Sequence, residues 1–260
     1  SIFNLGKINK EELFNWYYNG IHEITEITNE KNLPLVLQQQ IQAWKQKKPI
    51  VNTAAISQFF LALKTPYAAF DLEVWGAAVP TIQGTKPFQK IPFLFTLKSK
   101  DETDFVFLEF NDDDRRDFAV LLIEKTRKYK TLLVYDKSLE ASVINELISL
   151  FPEFKNELIG VIDKFLDVSE IIQKQYYFNH LFNGNFSLKA VSKVILEKNV
   201  FEGEQISTGL EAMNAYVSYK LEVNEIEKQI IKDNLINYCL ADTLATFLLA
   251  EKLMQISTVE

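Results

Sequence analysis

The amino-acid sequence predicts an α/β domain built on a mixed sheet, and three observations predict it. Residues 67–73, 91–97 and 104–110 are short β-rich runs, separated by Gly84, Pro87 and Pro92 and by a polar turn at 98–102, the pattern of a three-strand meander. Residues 115–128 follow as a helix, with Phe118, Leu121 and Leu122 at helical spacing and acids giving way to bases along the segment. Residues 131–136 are then apolar enough to be covered on both faces, and the chain after them reads as helix, the mark of a sheet packed between helices.

In chain order, residues 1–66 read as a helical segment ahead of a domain at 67–260. Asn9 and Glu12 are spaced as a capping box before Leu13, Trp16 and Tyr17. A second helix is expected from 34 to 47 on Leu37, Ile41 and Trp44, and a third, capped by Asn52 or Thr53, carries Ile56, Phe59, Phe60 and Leu63. Beyond the fourth strand, helices are expected at 138–150, around 153–165, around 167–174, and at 187–196, 208–219 and 224–254.

Composition narrows the function classes. The chain has 260 residues, 47% of them hydrophobic, enough for a large core. A net charge of −7 supplies no overall basic field for nucleic acid or an anionic membrane. One cysteine, Cys239, fits a reducing compartment, and with only His22 and His180 beside it a Cys/His zinc site is not expected. The opening residues lack the apolar run of a secretory signal, and no segment approaches the roughly 20 apolar residues of a membrane span, so a cytoplasmic protein without membrane contact is expected. No phosphate-loop pattern occurs, and neither histidine accompanies a nucleophile elbow.

The candidate chemistry lies in the acids. Alternation along 67–75 puts Asp71 and Glu73 on one face, where two like charges call for water or a cation between them. Tyr238 and Asp242 stand four apart on the last helix, in apolar company that makes a carboxylate costly without a partner. Asp136 ends the buried strand and Glu140 lies in the first turn of the next helix. Each has a plainer reading: a solvated strand edge for the first pair, a surface aspartate for Asp242, and helix-dipole acids for Asp136 and Glu140.

Taken together, strand D-x-E, an acid just past a buried strand and late-helix Tyr-x-x-x-Asp resemble the DnaQ-like 3′–5′ exonucleases of the DEDD group, tyrosine subtype, over residues 67 to about 252. The stretches 70–73, 84–93, 176–177, 187–191 and 238–242 resemble more closely a bacterial domain family of uncharacterised function in that superfamily, some of whose members carry it behind a Cas4-like nuclease domain. The resemblance implies an RNase H-like fold with a mixed five-stranded sheet flanked by helices. It also implies two Mg²⁺ or Mn²⁺ ions held by Asp71, Glu73, Glu140 and Asp242, with Tyr238 orienting the attacking water. Asp136 falls where asparagine is usual, and Asp167 matches an accessory aspartate near the site, or else serves as a helix cap. Glu140 stands where the family has aspartate and reaches about 1.5 Å further.

The implied activity is metal-dependent hydrolysis of phosphodiester bonds, as a 3′–5′ exonuclease on single-stranded DNA or RNA. The alternative is a non-catalytic RNase H-like docking module in a larger nucleic-acid-processing protein, with an upstream nuclease domain as partner. Cations and aromatics that would guide a strand are Lys86, Lys90, Lys137, Lys189 and Lys193, with Trp75, Phe88, Tyr176 and Tyr177 as stacking surfaces.

Overall fold

In a computed structural model that describes residues 1–6, 8–110 and 112–258, the chain opens with helices α1 (Lys10–Tyr18) and α2 (Leu35–Gln46), strand β1 (Ile50–Val51) and helix α3 (Thr53–Phe60). Strands β2 (Tyr67–Trp75), β3 (Ile91–Lys98) and β4 (Thr103–Phe107) follow, then α4 (Arg115–Thr126), β5 (Thr131–Val134), α5 (Ser138–Leu150), α6 (Lys155–Ile162) and β6 (Phe165–Asp167). The remainder is α7 (Ser169–Gln173), β7 (Tyr177–Phe178), α8 (Leu188–Leu196), α9 (Gly209–Leu221) and α10 (Glu225–Thr258). These elements form two compact units, one of Leu63–Val168 and Val200–Ala250, the other of Ser1–Ala62, Ser169–Asn199 and the residues from Glu251 on.

The unit around the N-terminus draws on more of the chain than residues 1–66. β1 pairs antiparallel with β7, Ile50 opposite Phe178 and Val51 opposite Tyr177, and Asn52 N–H donates to Tyr176 O at 2.7 Å. Neither two-residue strand is visible in the sequence, because each exists only through its distant partner. Asn9 caps α1 by accepting from Glu11 N–H, and Asn52 caps α3 by accepting from Ala55 N–H. Ile2, Leu5, Leu13, Ile24, Ile27 and Ile41 form the core.

The larger unit is the expected mixed α/β domain. Its sheet runs β4-β3-β2-β5-β6, antiparallel from β4 to β2 and parallel from β2 through β5 to β6, an arrangement consistent with an RNase H-like fold. The three-strand meander, α4 and the buried β5 lie where periodicity put them. The fifth strand, β6, occupies residues expected to lie in or beside helices; three residues carry no period, and only pairing with β5 makes them a strand.

β2 is central, and its even positions Ala68, Phe70 and Leu72 pack with Phe118 and Leu122 of α4, Val143 and Leu147 of α5 and Leu158 of α6. The other face is covered by α9 and α10, where Trp75, Phe93 and Leu94 meet Tyr216, Leu235, Tyr238 and Cys239. Among the described residues, no helix is long and apolar enough to cross a membrane.

Candidate active site

Alternation along β2 sends Asp71 and Glu73 to the face opposite Phe70 and Leu72, toward α10, so the two acids share a face as the period of two requires. Because β2 sits between β3 and β5, this is the middle of a covered sheet and not a wet edge. Glu73 is buried and Asp71 half-buried.

α10 supplies Tyr238 and Asp242 from one face, the tyrosine buried and the aspartate half-buried. Between them in sequence lies Cys239, whose thiol donates to Asp71 Oδ2 at 3.3 Å. Behind the thiol, Thr96 of β3 sits 3.3 Å from the sulfur, donates to Cys239 O at 3.2 Å and also meets the hydroxyl of Thr243. This cysteine therefore orients the Asp71 carboxylate as well as packing. Sequence reasoning gives it no place at the site, since only the stacking of α10 on β2 and β3 brings it to Asp71.

The turn from β5 into α5 places the remaining acids. Asp136 adopts a left-handed backbone with φ of 63°, a conformation that aspartate and asparagine tolerate better than most residues. The turn is clamped by Asp167 at the end of β6, which accepts from Asp136 N–H at 3.0 Å and Lys137 N–H at 3.1 Å. Asp167 is thus a support for the turn that leads into α5. Glu140, in the first turn of α5, is 4% exposed, and its Oε2 finds no hydrogen-bond partner among the described residues. Removing the clamp leaves two backbone donors unmet at a conformationally costly residue. Asp167→Ala is expected to lower unfolding stability by about 3 kcal/mol and Asp167→Asn by less, as read by urea denaturation.

Asp71, Glu73, Asp136, Glu140, Tyr238 and Asp242 line one open cavity of about 450 Å³, together with Lys90, Ser138, Ser142, Tyr135 and Gly209. The longer side chain of Glu140 thus reaches the same space as the D-x-E pair. Of the wall residues, Tyr135, Ser138, Ser142 and Gly209 carry no signal in the sequence.

The charges are poorly matched with one another. Burial, then Asp242, Glu73 and Glu140, raise the Asp71 carboxyl well above the usual carboxylate range. Burial, helped by Asp136 and Asp167, pushes Glu140 up to about 7. Burial first and then Asp242, Glu73 and Asp71 hold the Tyr238 phenol firmly protonated, and burial with Asp71 and Glu73 does the same for the Cys239 thiol. Ligand atoms of Asp71, Glu73 and Cys239 lie within 4.8 Å of one another. A buried carboxylate oxygen without a donor, in a cavity lined by further carboxylates, is a set of hard oxygen ligands that could hold a divalent cation.

Over residues 68–187 the chain matches a family described as a domain of unknown function, DUF2779. The match takes in Asp71, Glu73, Asp136, Glu140 and Asp167 and ends before Tyr238 and Asp242; its description carries no activity. No curated protein matches the chain, and no solved structure does.

The strand-guiding candidates divide. Trp75 is buried, 5.7 Å from the Tyr216 ring with Lys220 over its face at 5.0 Å, so it has no surface to offer a base. Tyr177 is buried against Phe182 in the unit around the N-terminus, to which Tyr176, Lys189 and Lys193 also belong. Burial removes Tyr177 as a stacking surface. Lys137 is exposed at the start of α5, Lys90 stands on the cavity wall, and Lys86 and Phe88 are exposed in the loop between β2 and β3.

Proposed function

We propose that the chain is a divalent-metal-dependent nuclease that hydrolyses phosphodiester bonds of single-stranded DNA or RNA, acting as a 3′–5′ exonuclease. The observation that carries this reading is the meeting of Asp71 and Glu73 from a strand, Glu140 from one helix and Asp242 from another around a single cavity, with a buried Glu140 oxygen left without a partner. Burial and the charges of Asp242, Glu73 and Glu140 raise the proton affinity of Asp71, and burial with Asp136 and Asp167 raises that of Glu140, so the charge of the site is complete only with cations.

Asp71, Glu73, Glu140 and Asp242 would hold two Mg²⁺ or Mn²⁺ ions. Such ions, when bound, neutralise a scissile phosphate and provide a Lewis acid for its hydrolysis. Tyr238 keeps its proton and so acts as a hydrogen-bonding group that orients water in line with phosphorus, a positioning role and not that of a base. Water adds to phosphorus as the bond to the 3′ oxygen breaks, and a nucleoside 5′-monophosphate leaves. Cys239 fixes the rotamer of Asp71, and Asp167 holds the turn leading to Glu140. In an acidic protein the cations must do most of the work of receiving a polyanion.

The test is degradation of 5′-labelled single strands with Mn²⁺. A ladder shortening one nucleotide at a time is expected, abolished by a chelator. Internal fragments from the first time point would make the enzyme an endonuclease, and intact strands under all metals would leave a docking module.

A further inference from the structure

The loop between β2 and β3 presents Phe88 in a way that its own packing does not explain. Phe88 is 70% exposed and takes a left-handed backbone with φ of 59°, a conformation that a bulky side chain adopts only at a cost. An exposed aromatic in a strained position gives nothing back to stability. Yet the loop is built to keep it there: Phe88 N–H donates to Ala77 O at 2.9 Å, and Lys86 N–H donates to Gln89 Oε1 at 3.0 Å. Gln89 Nε2 in turn donates to Glu146 Oε2 on α5 at 3.3 Å. Gly76 lies so close beneath that an added Cβ would stand 2.7 Å from Gln89 O and 3.1 Å from the Phe88 carbonyl carbon.

Phe88 and Lys86 border a groove of about 810 Å³ whose other wall is α5, with Ser142, Asn145 and Ser149. Ser142 also lines the acid cavity, and Lys90, two residues past Phe88, stands on that cavity's wall. The groove and the cavity are therefore contiguous. The groove holds an exposed ring face with Lys86 beside it and short polar side chains opposite, and Lys90 stands past the ring on the wall of the acid cavity. Glu146, the one acid among the described residues that line the groove, is held by Gln89. A flat aromatic between cations beside neutral donors suits a single strand, whose bases stack and whose phosphates need positive charge.

We propose that this groove is a nucleobase-stacking subsite for single-stranded nucleic acid, with Phe88 as the platform and Lys86 and Lys90 along the phosphates leading into the acid cavity. The proposal rests on the nuclease reading of that cavity and adds the path by which the strand arrives.

Anisotropy of a dye-labelled single-stranded oligonucleotide, measured in Ca²⁺ to suppress turnover, compares wild type with Phe88→Ala and Phe88→Trp. Phe88→Ala is expected to weaken binding about 5- to 150-fold, the loss of one stacked base. Phe88→Trp is expected to bind as wild type and to lose indole fluorescence when the oligonucleotide is added. Hydrolysis of thymidine 5′-p-nitrophenyl phosphate, a substrate too short to span the groove, by the wild-type protein with Mn²⁺ tests the acid cavity independently of the groove. Equal oligonucleotide binding by wild type and Phe88→Ala, or an unquenched tryptophan, overturns the stacking subsite. Phe88-dependent binding without hydrolysis of either substrate overturns the nuclease reading while the subsite stands.

Discussion

Replacing Asp242 by asparagine is expected to abolish hydrolysis while making the metal-free protein more stable at neutral pH. The two effects have one cause. Asp242 is the largest charged contributor to the raised Asp71 carboxyl, so in the absence of cations its charge works against folding. Asparagine keeps the size and one oxygen and removes the repulsion, with an expected gain of about 1–3 kcal/mol in urea denaturation. The same change takes a charge from the group that would hold the metals. Loss of several kcal/mol of phosphate stabilisation corresponds to a fall in rate on the order of 10³-fold or more. Asp71→Asn is expected to behave in the same way, although loss of the carboxylate that accepts from Cys239 offsets part of the stability gain. A scaffold role for Asp242 would give the opposite pairing, with stability falling and any activity falling only in proportion.

How far the site can be read from the sequence depends on the range of the interaction that forms it. Asp71 and Glu73 are legible because β2 imposes a period of two over nine residues, and Tyr238 with Asp242 because a helix repeats at four. Glu140 is legible as an acid in a first helical turn, but its burial beside the D-x-E pair depends on the parallel pairing of β5 with β2, which no local pattern records. Trp75, a candidate stacking surface, shares a face with Asp71 by the same alternation, yet is buried among Tyr216 and other residues of α9. Phe165-Leu-Asp167 is too short to carry a period, and so β6, with the Asp167 clamp on it, is missed as a strand although Asp167 itself stands out by resemblance. The folding of residues 169–199 with the N-terminal segment follows from contacts more than a hundred residues apart, such as Val51 with Tyr177, and these lie beyond any windowed pattern.

The stability of the metal-free protein is expected to fall as pH rises from acid toward neutral, the reverse of the usual behaviour of salt-bridged carboxylates. Glu140 titrates near 4.5 when unfolded and near 7 in the fold, and Asp71 is displaced in the same direction. Between those values the folded chain binds more protons than the unfolded one, so the slope of unfolding free energy against pH is negative. Stability is full below the unfolded pKa and is lost as pH climbs through the folded one. For Glu140 alone the loss across the window is about 3 kcal/mol, which corresponds to a fall in Tm of roughly 6–12 °C for a domain of this size. Mn²⁺ is expected to reverse the loss, because cations take the place of the protons that the carboxylates otherwise retain, and its stabilising effect should therefore be larger near pH 8 than near pH 5. Glu140→Gln removes one titration and is expected to flatten the metal-free profile and shrink the Mn²⁺ response together. Thermal melts across pH, with and without Mn²⁺, check both. A metal-free profile that rises from pH 5 to 8, or a Mn²⁺ response the same at both ends, would mean that these carboxylates are neutralised by the protein itself, and a site so satisfied would have no place for cations.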